Sequence, residues 1–167
     1  WQHPELGILL PGTFIATAEE AGLINAIGEQ VVDKVVAQIA RWRSQGMNLV
    51  PVSFNVSPRQ LQHGRISDCI ARALKTYEVP ANLVEIEVTE STMVDRGAAT
   101  SAELDALRAL GIRLMIDDFG AGYTSFRNLQ LLQVDTVKID GSYVKNLHAS
   151  PENQVFVRTL VGLAKNL

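Results

Sequence analysis

Two adjacent carboxylates, Asp117 and Asp118, follow the apolar run Ile112-Arg113-Leu114-Met115-Ile116 and precede Phe119-Gly120-Ala121-Gly122-Tyr123. Neighbouring residues on a regular strand point to opposite faces. Both carboxylates reach one site only if the backbone twists at the strand end, and Gly120 and Gly122 are residues that permit it. A buried pair of like charges needs a compensating cation, so the pair reads as a divalent metal site. It reads equally, taken alone, as a cap on a loop and the next helix, since Asp is common in such turns. Asn55, Glu87 and Lys138 fall at comparable places on other apolar, alternating segments. Asn55, Glu87, Asp117 and Asp118 together offer four oxygen ligands, the donor type that a hard cation such as Mg²⁺ requires.

The elements that position these residues alternate regularly. Residues 1–12 read as loop. Helices are expected over 13–21, stopped by Gly22, and over 25–45, stopped by Gly46, with Val31, Val35, Ile39 and Trp42 as the apolar stripe of the second. A strand over 49–56 ends at Asn55-Val56, and Ser57-Pro58 reads as an N-cap with proline at the first helical position. A helix over 66–77 carries Ile66, Ile70, Leu74 and Tyr77. The next strand, 83–89, places Val84, Ile86 and Val88 on one face and Glu85, Glu87 and Thr89 on the other. A helix over 97–110 ends at Gly111, and the third strand ends in the Asp pair. A short helix is expected over 125–132. The fourth strand, 135–140, puts Thr136, Lys138 and Asp140 on one face, and Ser150-Pro151 opens a last helix with Phe156, Leu160, Leu163 and Leu167 as its stripe.

Strands separated by helices imply right-handed crossovers and a parallel sheet, so the class is α/β. Polar residues at the C-terminal ends of successive strands favour a (β/α) barrel, where several strands contribute to one site. A doubly wound sheet would use a single switch point, often with a glycine-rich phosphate loop. Gly120-Ala121-Gly122 lacks the third glycine of that fingerprint, because position 125 is Ser.

Composition sets further bounds. The 167 residues suffice for one core. A net charge of −3 without a basic cluster argues against a DNA or RNA polymer as partner. Cys69 is the single cysteine, which suits a reducing, cytoplasmic setting. No apolar run reaches membrane-spanning length, although a parent protein with an anchor elsewhere is compatible. His3, His63 and His148 have no metal-ligand or triad spacing.

The ordered segments Trp1-Gln2-His3-Pro4-Glu5-Leu6-Gly7, Ala18-Glu19-Glu20-Ala21-Gly22-Leu23-Ile24, Asn55-Val56-Ser57, Glu87-Val88-Thr89-Glu90-Ser91, 117–123 and Val134-Asp135-Thr136-Val137-Lys138-Ile139-Asp140 together make the chain identifiable. It resembles the EAL-domain cyclic-di-GMP phosphodiesterases over nearly its whole length. The resemblance implies a TIM-type (β/α) barrel that linearises cyclic-di-GMP to pGpG with two Mg²⁺ or Mn²⁺ ions. It implies Asn55, Glu87, Asp117 and Asp118 as metal ligands, with Asp118 also serving catalysis. Lys138 would position the attacking water, Glu90 would steady the loop after the Asp pair, and Asp140 would lie near the metals or ligand. The segment 119–125 would couple metal binding to homodimer formation.

The same resemblance places the Glu-Ala-Leu signature before Trp1, with a further ligand glutamate and an arginine, and places later strands and further glutamates after Leu167. On that reading residues 1–167 are about two-thirds of a barrel of the usual size, without its first and last strands. Sensory or diguanylate cyclase domains would flank it. The competing reading is a catalytically inactive EAL-like module that binds cyclic-di-GMP or a protein partner as a sensor.

Overall fold

The computed structural model describes residues 1–63, 65–94, 97–120 and 134–164. The expected helix over 125–132, the Ala121–Ser125 part of the coupling segment and Leu167 lie outside them. Two short strands, β1 (Gln2–His3) and β2 (Gly7–Ile8), form an antiparallel hairpin where the sequence suggested only loop. The Glu5 and Leu6 amides both donate to His3 Nδ1 and close its turn. Helix α1 (Ile15–Glu20) and the long helix α2 (Ile24–Ser44) follow. Gly22 and Gly46, at φ of 73° and 69°, stop them in the left-handed conformation that glycine adopts without strain.

The sheet consists of β3 (Val52–Asn55), β4 (Val84–Thr89), β5 (Arg113–Phe119) and β6 (Thr136–Ile139). Among the described residues they pair in the order β3-β4-β5-β6, all parallel. Each strand therefore neighbours the next one in sequence. That is the order of a barrel wall, whereas a doubly wound sheet reverses at its switch point. Between β3 and β4 run α3 (Pro58–His63) and α4 (Ile66–Tyr77). Between β4 and β5 run α5 (Glu90–Val94) and α6 (Ala98–Ala109). After β6 come α7 (Gly141–Lys145) and α8 (Pro151–Ala164). The short α5 and α7 were not anticipated from the sequence.

The core fills one side of the sheet. Phe54, Val84, Ile86, Val88, Leu114 and Ile116 are buried there with Val36 and Ile39 of α2, Ile70 of α4, and Leu104 and Leu107 of α6. Burying such side chains stabilises the fold by about 1.5–3 kcal/mol each. The buried stripe of α2 is Ile24, Val32, Val36 and Ile39; Ile39 is as expected, and the two valines are one residue round from the expected pair. Val31, Val35 and Trp42 are half-buried at its margin. A carboxylate closes one inter-helix contact. Glu103 of α6 is buried and accepts the Ser67 amide at the start of α4 at 2.6 Å, where the unpaired amides of a helix N-terminus favour negative charge.

Candidate active site

In a parallel sheet, residues paired in register present their side chains to the same side. Asn55 pairs with Glu87, Glu87 with Met115, and Met115 with Thr136; one step further along, Thr89 pairs with Asp117. The core residues Phe54, Ile86, Leu114 and Ile116 occupy the alternate positions. The polar set therefore faces away from the covering helices, on the side that becomes the interior of a barrel. Asn55, Thr89 and Asp117 lie at or near the C-terminal ends of their strands, with Glu87 one alternate position before Thr89, whereas Thr136 opens β6.

The Asp pair is displayed by a bulge. Ile116 pairs with Val137 and Phe119 with Ile139, so Asp117 and Asp118 together oppose Lys138 alone. An extra residue in a ladder bends the strand and re-aims side chains. The bend is taken up by Asp118 itself, at φ 52°, and then by Gly120 at φ 99°. The sequence had assigned this freedom to Gly120, as found, and to Gly122, which lies outside the described residues. Aspartate tolerates the left-handed region better than most residues, so one residue supplies both the turn and a carboxylate.

Glu87 is buried, and each of its oxygens has a partner. Oε1 accepts from the Ser53 hydroxyl at 2.5 Å, and Oε2 accepts from Lys138 Nζ at 2.7 Å. The same ammonium lies 3.1 Å from Asp117 Oδ1. The hydrogen bond to Glu87 pushes the Lys138 pKa above the ordinary lysine range; burial opposes this, and Asp117 reinforces it. Lys138 is thus a fixed cation between two carboxylates. Asp118 and Asn55 are exposed at the strand ends.

Glu90 begins α5 directly after β4. It is buried, and its Oε2 accepts the Gly120 amide at 2.8 Å. Asp140 lies just beyond β6, where its carboxylate accepts the Ser142 amide at 2.7 Å and caps α7. Hydrogen bonding by Ser142 holds the Asp140 carboxyl below the usual range. Its own amide donates to the Phe119 carbonyl at 3.1 Å.

Two supporting contacts escaped the sequence reading. The turn after Asn55 is not closed by the Ser57 hydroxyl, which has no partner among the described residues; instead Gln60 Oε1 accepts the Ser57 amide at 2.9 Å. Gln60 is buried against Gly28 of α2, and a Cβ at position 28 would stand 1.8 Å from Gln60 Nε2. Glycine inside a helix was the available signal. The second contact is that of Tyr143 with Gly120, whose carbonyl accepts the phenol at 2.8 Å.

The donor set suits a hard divalent cation, being oxygen throughout and rich in carboxylate. Among the described residues, no three His, Cys, Asp or Glu side chains are already grouped to hold one. Lys138 occupies the space that compensates Glu87 and Asp117.

A family model described as the EAL domain matches residues 1–167. The chain belongs to the EAL domain family. The relatives of this EAL chain include the Escherichia coli cyclic di-GMP phosphodiesterase PdeR, 35% identical over all of this chain and 25% of that protein. The bifunctional diguanylate cyclase/cyclic di-GMP phosphodiesterase MucR of Pseudomonas aeruginosa is 34% identical over all of this chain and 24% of its own length. The solved structure of the PaMucR phosphodiesterase in complex with c-di-GMP superposes with a TM-score of 0.90 at 33% identity, covering 99% of this chain and 67% of that one. The fold is therefore α/β, and the described sheet is part of the wall of a TIM-type barrel. The chain spans about a quarter of the length of these curated relatives. Among the described residues no helix is long and apolar enough to cross a membrane.

Proposed function

We propose that the protein carrying this chain hydrolyses cyclic-di-GMP to pGpG in a reaction dependent on two Mg²⁺ or Mn²⁺ ions. The observation that carries this reading is the bulge that sets Asp117 and Asp118 opposite Lys138, with Glu87 on the same ammonium. It joins carboxylates and a fixed cation at the strand ends of a chain whose relatives include named phosphodiesterases.

Asn55, Glu87, Asp117 and Asp118 would hold the metals, which when bound lower the pKa of water and stabilise developing charge on phosphate. Lys138 remains protonated and so cannot accept the proton of the attacking water. Its role is to donate a hydrogen bond that orients this water and to offset negative charge. Glu87 keeps Lys138 in place through Oε2, while Ser53 fixes the other oxygen. Glu90 steadies Gly120 and with it the end of β5. Asp140 follows the C-terminal end of β6 and orders the start of α7.

We place residues 1–167 within one EAL-type domain of a longer cytoplasmic polypeptide, whose flanking sequence supplies the strands that close the ring and further carboxylates. Homodimerisation and flanking sensory or cyclase domains belong to this reading, the latter supported by the bifunctional name of MucR. The test is to incubate the full-length protein with cyclic-di-GMP and Mn²⁺ or Mg²⁺ and resolve products by chromatography. Appearance of pGpG that stops on chelation is expected; turnover undiminished by chelation overturns the metal requirement. The tie of Lys138 to both Glu87 and Asp117 also suits a binding module that holds the ligand without metal. Tight cyclic-di-GMP binding with no product and no Mn²⁺ uptake would select that reading.

A further inference from the structure

Gly120 comes two residues after Asp118, and its peptide groups are held from two sides. Its amide donates to Glu90 Oε2 from one side, and its carbonyl accepts the Tyr143 hydroxyl from the other, both at 2.8 Å. Tyr143 belongs to α7, the helix that Asp140 caps. Its ring stacks on Phe156 of α8, with centroids 4.1 Å apart and planes inclined by 22°. The two rings lie directly over Gly120. A Cβ at that position would come within 2.8 Å of Phe156 Cζ and 2.9 Å of Tyr143 Cε2, and the residue has φ +99°. Only glycine fits under the stack, and only a phenol in the stack reaches the carbonyl.

We propose that Tyr143 is a positioning residue for the Asp117-Asp118 carboxylates, acting through the backbone of Gly120. The proposal rests on the reading that those carboxylates bind metal. Asp118 occupies the left-handed region, a conformation that persists only where the surroundings hold it. The single residue between Asp118 and Gly120 is Phe119. Its side chain is buried, and its carbonyl accepts the Asp140 amide. Two successive carbonyls, those of Phe119 and Gly120, are therefore tied to the segment that follows β6. The first tie is made by backbone and survives any change at position 140 except to proline, which lacks the amide hydrogen. The second depends on one hydroxyl. Losing it frees the peptide after Gly120, the outer anchor of the short segment that begins at Asp118, and the positive φ of Asp118 then has one tie fewer to hold it. The ligand geometry of the pair then has to be rebuilt each time a metal binds.

Tyr143→Phe removes the hydroxyl and keeps the ring stack, so it separates positioning from packing. In the full-length protein, Mn²⁺ uptake is followed by the loss of the free-ion electron paramagnetic resonance signal, alongside thermal unfolding without metal and turnover of cyclic-di-GMP across a Mn²⁺ series. The expected result is a Mn²⁺ dissociation constant raised about three- to tenfold, the scale of one neutral hydrogen bond. Turnover falls at low Mn²⁺ and recovers at saturating Mn²⁺, with the KM for cyclic-di-GMP unchanged. A purely structural role would instead lower the unfolding midpoint and leave a deficit that Mn²⁺ does not repair, and that outcome overturns the proposal. Equal Mn²⁺ affinity in the variant and the natural protein overturns it as well, while leaving the functional reading intact. Natural protein that takes up no Mn²⁺ overturns the functional reading and this proposal with it.

Discussion

Lys138 Nζ lies 2.7 Å from Glu87 Oε2 although β5 separates the strands that carry them. The two ends of this pair differ in their surroundings: the Glu87 side chain is 9% exposed and that of Lys138 is 41% exposed. Losing the lysine therefore harms the glutamate more than the reverse. Lys138→Met should destabilise the metal-free protein by about 1 kcal/mol, well below the cost of breaking a fully buried pair because the ammonium is partly solvated. Mn²⁺ should restore much of that loss by binding the folded state. Thermal unfolding with and without Mn²⁺ measures both, and equal unfolding midpoints for the variant and natural protein in metal-free buffer would refute the pairing argument.

The same pair has a defined pH window. Its folded-state lysine pKa lies above the ordinary value, so its contribution is fully present below that ordinary value, about 10.4. It disappears as pH rises through the raised folded value. The stability gap between natural protein and Lys138→Met should thus stay constant from roughly pH 7 to 9.5 and narrow only above that. A gap that closes at neutral pH would show that another group controls the site.

Lys138→Ala should also lower kcat more than it weakens cyclic-di-GMP binding, because orientation of water matters chiefly in the transition state. Steady-state kinetics at saturating Mn²⁺ separates the two. Weakened binding with unchanged kcat would reassign the lysine to holding the ground-state phosphate.

Asp118→Asn keeps a residue that accepts a positive φ and removes the charge. The unfolding midpoint should stay within about 2 °C. Turnover should fall by at least about a hundredfold, as on loss of a positioned catalytic group. Asp118→Val, by contrast, should cost roughly 1–2 kcal/mol through backbone strain alone. If the Asn variant retains near-natural turnover at saturating Mn²⁺, Asp118 serves only the bulge.

Gly28→Ala tests the support beneath Asn55. Alanine normally improves a helix interior by about 0.5–1 kcal/mol. Here its Cβ meets Gln60 Nε2, and Gln60 is buried with its Oε1 committed to the Ser57 amide. Net destabilisation of about 1 kcal/mol is expected, from overpacking and a disturbed hydrogen bond. Urea unfolding gives the sign, and a more stable variant would show that Gln60 moves aside freely.

The sequence disclosed most of the frame because its punctuation is local. Gly22, Gly46 and Gly111 each end an element at positive φ, and alternating apolar residues mark β4 with Glu87 on the polar side. The face of α2 was misjudged for a specific reason. Val31-Val32 and Val35-Val36 form two adjacent stripes of equal period, and only packing on β3 and α4 selects Val32 and Val36. Asp140 looked like a strand residue beside Lys138, but the strand ends at Ile139 and the carboxylate turns to Ser142. The bulge at Asp118 and the Tyr143 contact are tertiary outcomes. Neither leaves a mark in periodicity, since one depends on the register of β6 and the other on how α7 docks.

The order β3-β4-β5-β6 also bears on how the molecule is made. Each strand pairs with the one synthesised just before it, so the sheet can grow one crossover at a time as the chain leaves the ribosome. Glu87 does not share that advantage. Its ammonium partner is 51 residues away and arrives only with β6. Until then a carboxylate destined for burial has Ser53 as its side-chain partner. The nascent wall β3-β4-β5 thus forms before its charge balance, which waits for the strand that brings Lys138.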